Sequence, residues 1–126
     1  MRKHVLGSVL LAVAVLLSSG VALAQTIIAV DITKATLQWD AGAGGGTPTK
    51  YRVQCGVAPG AYTLPVQEVP SPIREIPVQV VVTREGAYFC VVTAANDFGE
   101  SGASNEVQFR AGTAPASPQA LRVVGQ

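Results

Sequence analysis

Apolar and polar residues alternate in short runs along most of this chain, and the alternation predicts strands. Leu37 and Trp39 fall on one side of a pleat, with Thr36 and Gln38 on the other. Tyr51, Val53 and Cys55 share a face against Arg52 and Gln54. Val78, Val80 and Val82 alternate with Gln79, Val81 and Thr83, and Tyr88, Cys90 and Val92 alternate with Phe89 and Val91. Val107 and Phe109 stand against Glu106, Gln108 and Arg110. A period of two marks half-buried strands, because successive side chains leave a pleated backbone on opposite faces. Five such segments, separated by turn residues and with no long helical period between them, predict an all-β sandwich of two antiparallel sheets.

One stretch does not alternate. Val5 to Leu17 is almost continuously apolar, with Arg2 and Lys3 before it and Ser18-Ser19-Gly20 and Ala22-Leu23-Ala24 after it. A basic start, an apolar core shorter than the roughly 20 residues of a spanning helix, and a small-x-small exit make a secretory signal peptide cleaved near Ala24. An uncleaved anchor is the alternative. No cysteine stands at the exit and no arginine pair at the start, which points to the general secretion route of a bacterial protein. The expected product is secreted, periplasmic or extracellular, with no membrane span in its mature form.

Breaks in the pattern set the remaining boundaries. Ala41 to Pro48, with four glycines, connects the strand of Trp39 to that of Tyr51. Pro70-Ser71-Pro72 ends another segment, since proline cannot donate to a ladder. Beyond Arg110, Ala111 to Pro118 reads as a linker. The expected organisation is a signal peptide at 1–24, one domain at 25–110 and a flexible, proline-rich tail at 111–126.

At this point the residues resemble a family. Leu37-Gln38-Trp39-Asp40 is similar to the second strand of fibronectin type III domains, and Tyr51-Arg52-Val53 to the third. Tyr88 to Asn96, then Gly99, Ser101 and Ser104-Asn105-Glu106-Val107, resemble the sixth and seventh strands and their turn. Gly56 to Thr63 is similar to a turn of bacterial secreted members. The resemblance implies an immunoglobulin-like sandwich of about seven strands in two antiparallel sheets, with Trp39, Tyr51 and Tyr88 as core markers. The family's Leu-x-Pro-Gly-x-x-Tyr corner is altered here to Val82-Thr83-Arg84-Glu85-Gly86-Ala87-Tyr88, which leaves the turn ahead of Tyr88 unspecified. It also implies that the third and sixth strands are neighbours, with Cys55 and Cys90 both inward. In an oxidising compartment these form a disulfide; two buried thiols are the alternative. Pro115-x-x-Pro118-x-x-Leu121-x-Val123 resembles the opening strand of a further module. It reads as a remnant, as a disordered end, or as a strand that pairs with a sheet edge in this or another molecule.

Charge and composition narrow the function. Loss of Arg2 and Lys3 leaves seven basic residues against eight acidic ones, a balance with no electrostatic footprint for nucleic acid. The only histidine, His4, lies in the signal peptide. Histidine-based catalysis and histidine-ligated metal sites are therefore excluded from the mature domain. No cofactor is expected. The carboxylates Asp31, Asp40, Glu68, Glu75, Glu85, Asp97, Glu100 and Glu106 are scattered, without calcium-loop spacing. The glycine run before Lys50 lacks phosphate-loop spacing and a following helix.

The expectation is thus a non-enzymatic binding or structural module whose partner is a protein or a cell-surface or matrix component. Gly44, Gly45, Asn96, Asp97 and Phe98 are the candidate binding residues, on loops that the resemblance places at one end of the sandwich. Phe98 near a loop tip is either an exposed anchor or a cover folded back on the core. Phe89 and Val91 are expected to face outward as an apolar patch, with the resemblance implying that neighbouring side chains cover Phe89. Self-assembly through sheet edges or the tail is the second hypothesis. An accessory carbohydrate-binding role is the third, weakened by the dispersal of Tyr62, Phe89 and Phe98.

Overall fold

A computed structural model describes residues 27–125. The expected signal peptide, its cleavage region and His4 lie outside the described residues. Eight short strands occur among the described ones: β1 (Ile28–Asp31), β2 (Thr36–Gln38), β3 (Lys50–Gly56), β4 (Gln67–Pro70), β5 (Glu75–Pro77), β6 (Gly86–Asn96), β7 (Gly99–Glu100) and β8 (Val107–Gly112). They form two sheets. The larger has the order β1-β8-β6-β3-β4, with β7 also on β6, and the smaller is the pair β2-β5.

The alternation places the inner face as anticipated for the central strands. Tyr51, Val53 and Cys55 of β3 and Tyr88 and Cys90 of β6 are buried, and Val53 and Cys55 are wholly inaccessible. Phe109 joins them from β8 and Ile76 from the small sheet, while Leu37, Trp39 and Val92 pack against the same core from partly buried positions. One core thus lies between the two layers. Burying an aliphatic side chain of this kind contributes about 1.5–3 kcal/mol.

Three expectations need correction. The large sheet is mixed, not wholly antiparallel, because β1 pairs in parallel with β8 from Ile28↔Phe109 to Asp31↔Gly112. β1 lies beside the last strand and not beside its sequence neighbour β2, and Ile32 N extends the ladder to Gly112 O at 2.7 Å. The last strand also runs past Arg110: Ala111 is 1 % exposed in the core, so the ordered domain extends into the segment assigned to the linker. From Thr113 to Gly125 no strand or helix is formed.

The third correction concerns Val78 to Thr83, where a strand was expected. Val78–Val81 is a single helical turn that follows β5, entered from Pro77 and closed by Val82 N donating to Val78 O at 2.9 Å. Val78, Val81 and Val82 are buried while Val80 is 47 % exposed. Four valines in five residues satisfy both periods. Spacing at i, i+3 and i+4 buries three of them, as many as a strand would, and packing overrides the β preference of valine.

Two further features follow the sequence. Cys55 and Cys90 face each other across β3 and β6 and are disulfide-bonded, with Cα atoms 4.1 Å apart. The corner ahead of β6 closes through Tyr88, whose hydroxyl donates to Arg84 O at 2.7 Å.

Candidate functional site

β3 begins and β6 finishes at the same end of the large sheet, since they are antiparallel and Lys50 pairs with Ala95. The glycine-rich connection before β3 and the turn after β6 are therefore brought together. The turn is tight. Asn96 pairs with Gly99 and Ala95 with Glu100, so Asp97 and Phe98 form a two-residue tip between β6 and β7. Gly99 has φ +150°, a conformation glycine adopts without the cost a side chain would impose. Phe98 is 98 % exposed, which resolves the alternatives for this residue in favour of the outward one.

Side chains brace the tip from both sides. Asn96 Oδ1 accepts from Phe98 N at 2.9 Å, fixing the turn, and Asn96 Nδ2 donates to Thr47 O of the glycine loop at 3.2 Å. Glu100 accepts from the Thr93 hydroxyl at 2.6 Å and from Arg52 Nη1 at 3.0 Å. The Thr93 hydrogen bond, with Arg52 beside it, holds the Glu100 carboxyl below its ordinary range. Arg52 also binds Glu68 at 3.0 Å, and Glu68 is held low by Lys50 first and Arg52 second. Each such exposed pair contributes little, but the ladder Lys50–Glu68–Arg52–Glu100 spans three strands and ties the tip to the sheet.

Gly44 and Gly45 of the facing loop have φ of +76° and +72°. Between the two loops lies an open depression of about 500 Å³ with Trp39, Tyr51, Ser101 and Ser104 among its lining residues. Trp39 and Tyr51 meet edge to face, with centroids 5.5 Å apart. The Trp39 indole Nε1 is buried with no hydrogen-bond partner. Ser101 and Ser104 are internally satisfied: their hydroxyls accept from Ala94 N and Val92 N, each at 2.9 Å. All five candidate residues thus gather at one end: Gly44, Gly45, Asn96, Asp97 and Phe98.

The other aromatics lie elsewhere. Phe89 and Val91 point to the outer face but are 9 % and 4 % exposed. The connection after β3 explains the cover. It leaves Gly56 on one side of β6, and Gly60 N and the Tyr62 hydroxyl both bind Glu106, beside β8 on the other side. The connection therefore crosses the outer face of β6. Tyr62 and Gly60 hold Glu106 low, and Glu106 in turn raises Tyr62. Sequence reasoning missed this clasp, whose members are more than 40 residues apart.

No group of three or more potential metal-ligating side chains occurs among the described residues, and no helix among them is long and apolar enough to cross a membrane. The chain matches no protein-family model, and a search of curated proteins returns no significant relative.

Proposed function

We propose that this chain is an exported, non-catalytic module of fibronectin type III character that binds a protein or a cell-surface or matrix component through its loop end. The observation that carries this reading is Phe98. A fully exposed aromatic on a braced two-residue tip is a prearranged anchor, because the Asn96 hydrogen bond already orders the backbone that carries it and little loop entropy remains to be lost on binding. The glycine loop beside it adds main-chain hydrogen-bonding groups with few side chains in the way.

The family character is supported by the Trp39–Tyr51 contact across the layers, the Tyr88 corner and the order β8-β6-β3-β4. Export is supported by the disulfide, which persists in oxidising compartments. A carbohydrate platform is not favoured, since Phe89 is buried and Tyr62 is held at Glu106, away from Phe98.

The test is binding of the exported domain to cell-envelope and matrix fractions. Phe98→Ala and a glycine loop shortened within Gly42–Gly46 are each expected to lose binding while keeping the thermal transition. Unchanged binding in both variants overturns the reading.

A further inference from the structure

We propose that the segment Leu121–Val124 of one copy of this chain adds as a third strand to the free edge of β2 in a second copy. The register of the small sheet identifies the acceptor. Val78 N donates to Ala35 O at 2.9 Å and Trp39 N to Arg74 O at 3.2 Å, on either side of the pair Leu37↔Ile76. In an antiparallel pair hydrogen-bonded residues alternate with non-bonded ones. Ala35, Leu37 and Trp39 therefore turn their backbone groups to β5, and Thr36 and Gln38 turn theirs to the opposite edge, where no strand lies among the described residues.

The sheet edges are not equally protected. By the same alternation Pro77 of β5 and Pro70 of β4 occupy positions whose N–H would point outward, and proline supplies none. β2 has no proline. β1 is also open, but it belongs to the layer that is already five strands across, against two in the other. A strand added at β1 overhangs the core, whereas one added at β2 widens the narrow layer over it.

The donor has the pattern of a strand without a partner sheet. Leu121 and Val123 are fully exposed on either side of Arg122, and Val124 is 77 % exposed. One face of this segment can cover apolar surface while Arg122 stays in water. A second copy, and not the chain's own body, is the occupant because the spacer holds the donor away from its own body. Pro115 and Pro118 favour an extended spacer of about 3.1 Å per residue, which carries Leu121 roughly 19 Å beyond the body. The tail leaves β8 at Gly112, bonded to Ile32 in the turn that leads into β2, so donor and acceptor share one side of the molecule. Two copies about a two-fold axis can then exchange tails reciprocally, which closes the assembly as a dimer. The loop-end reading is independent of this exchange.

Sedimentation of the exported chain over a range of concentrations tests the proposal. The native chain is expected to dimerise. Leu121→Asp with Val123→Asp, at fully exposed positions where folding is not at risk, is expected to lose the dimer. Gln38→Pro blocks the acceptor edge without removing a backbone hydrogen bond to β5, losing only the exposed side-chain bond from Gln38 Nε2 to Glu75, and is expected to lose the dimer too. Amide exchange at Thr36 and Gln38 gives a readout should the proline variant fail to fold. Those amides are expected to be protected in the concentrated native chain and to exchange rapidly in the Leu121/Val123 variant. A native chain that stays monomeric, including one whose own tail protects those amides, overturns the proposal, as does a dimer that survives the tail substitutions.

Discussion

At the end of the molecule where β3 finishes, glycine is a steric requirement; at the opposite end, where β3 begins, it meets almost nothing. A Cβ on Gly56 would lie 1.7 Å from the Ala61 carbonyl oxygen, and one on Gly112 would lie 3.3 Å from Glu85 Oε2. A Cβ on Gly42, Gly44 or Gly45 would have no neighbour within 4 Å, and one on Gly46 would meet only the end of the Asn96 side chain, at 3.0 Å. The fastenings follow the same division. The Cys55–Cys90 bridge, the Glu106 clasp and the Tyr88–Arg84 hydrogen bond lie toward the first end, while at the second two side-chain hydrogen bonds, Asn96 to Thr47 O and Thr49 to Ala95 O, join the glycine connection to the end of β6. The first end locks β3, β6 and their connections to one another, and the second presents the Phe98 tip.

The largest effect expected from breaking this contrast comes from the disulfide. Replacing both Cys55 and Cys90 by alanine releases a bridge across a separation of 35 residues. The chain-entropy model gives a loss of about 4 kcal/mol, read as a fall in the urea midpoint. An unchanged midpoint would mean that this end does not hold the fold.

Next is a matched pair of glycine substitutions. Gly56→Ala must displace the backbone at Ala61 and with it the strap over Phe89 and Val91, and is expected to cost about 3 kcal/mol, the upper range for overpacking. Gly42→Ala, which meets no atom, is expected to change stability by no more than about 0.5 kcal/mol. Equal costs in denaturant titrations would erase the distinction between the ends.

Acid sharpens the contrast with a smaller effect. Glu68, Glu100 and Glu106 are all held below the ordinary value of 4.5 by their hydrogen-bond partners. The unfolded chain therefore binds protons more readily than the folded one. Stability from these groups is present above that value and is lost as pH falls through their lower folded values. Thermal midpoints are expected to be flat above about pH 5 and to fall below about pH 4. Glu106→Gln should reduce the slope, because its clasp no longer titrates. An acid slope identical to that of the native chain would show that the clasp adds nothing to the fastened end.

The central strands were legible because their faces differ so sharply: Tyr51, Val53 and Cys55 against Arg52 and Gln54 leave only one register with an apolar interior. The same pattern pointed to the Cys55–Cys90 pairing once the two strands were taken as neighbours. Val78–Val82 was not legible, since its one polar residue, Gln79, faces outward under a period of two and under one of 3.6 alike. The parallel pairing of β1 with β8 was hidden for another reason. Ile28 and Val30 alternate equally well beside either neighbour, and the choice depends on contacts across the whole chain. At the candidate site the two loops and the aromatic tip could be named from turn residues. What braces them could not, because Arg52 reaches partners 16 and 48 residues away and no local pattern records such pairs.

The most direct test of the account is a binding isotherm of residues 25–126 on envelope or matrix preparations, comparing the native chain with Phe98→Ala and with Leu121→Asp/Val123→Asp. Saturable binding that is lost in Phe98→Ala and retained in the tail variant is the predicted result. Binding that persists undiminished without the Phe98 ring would contradict it.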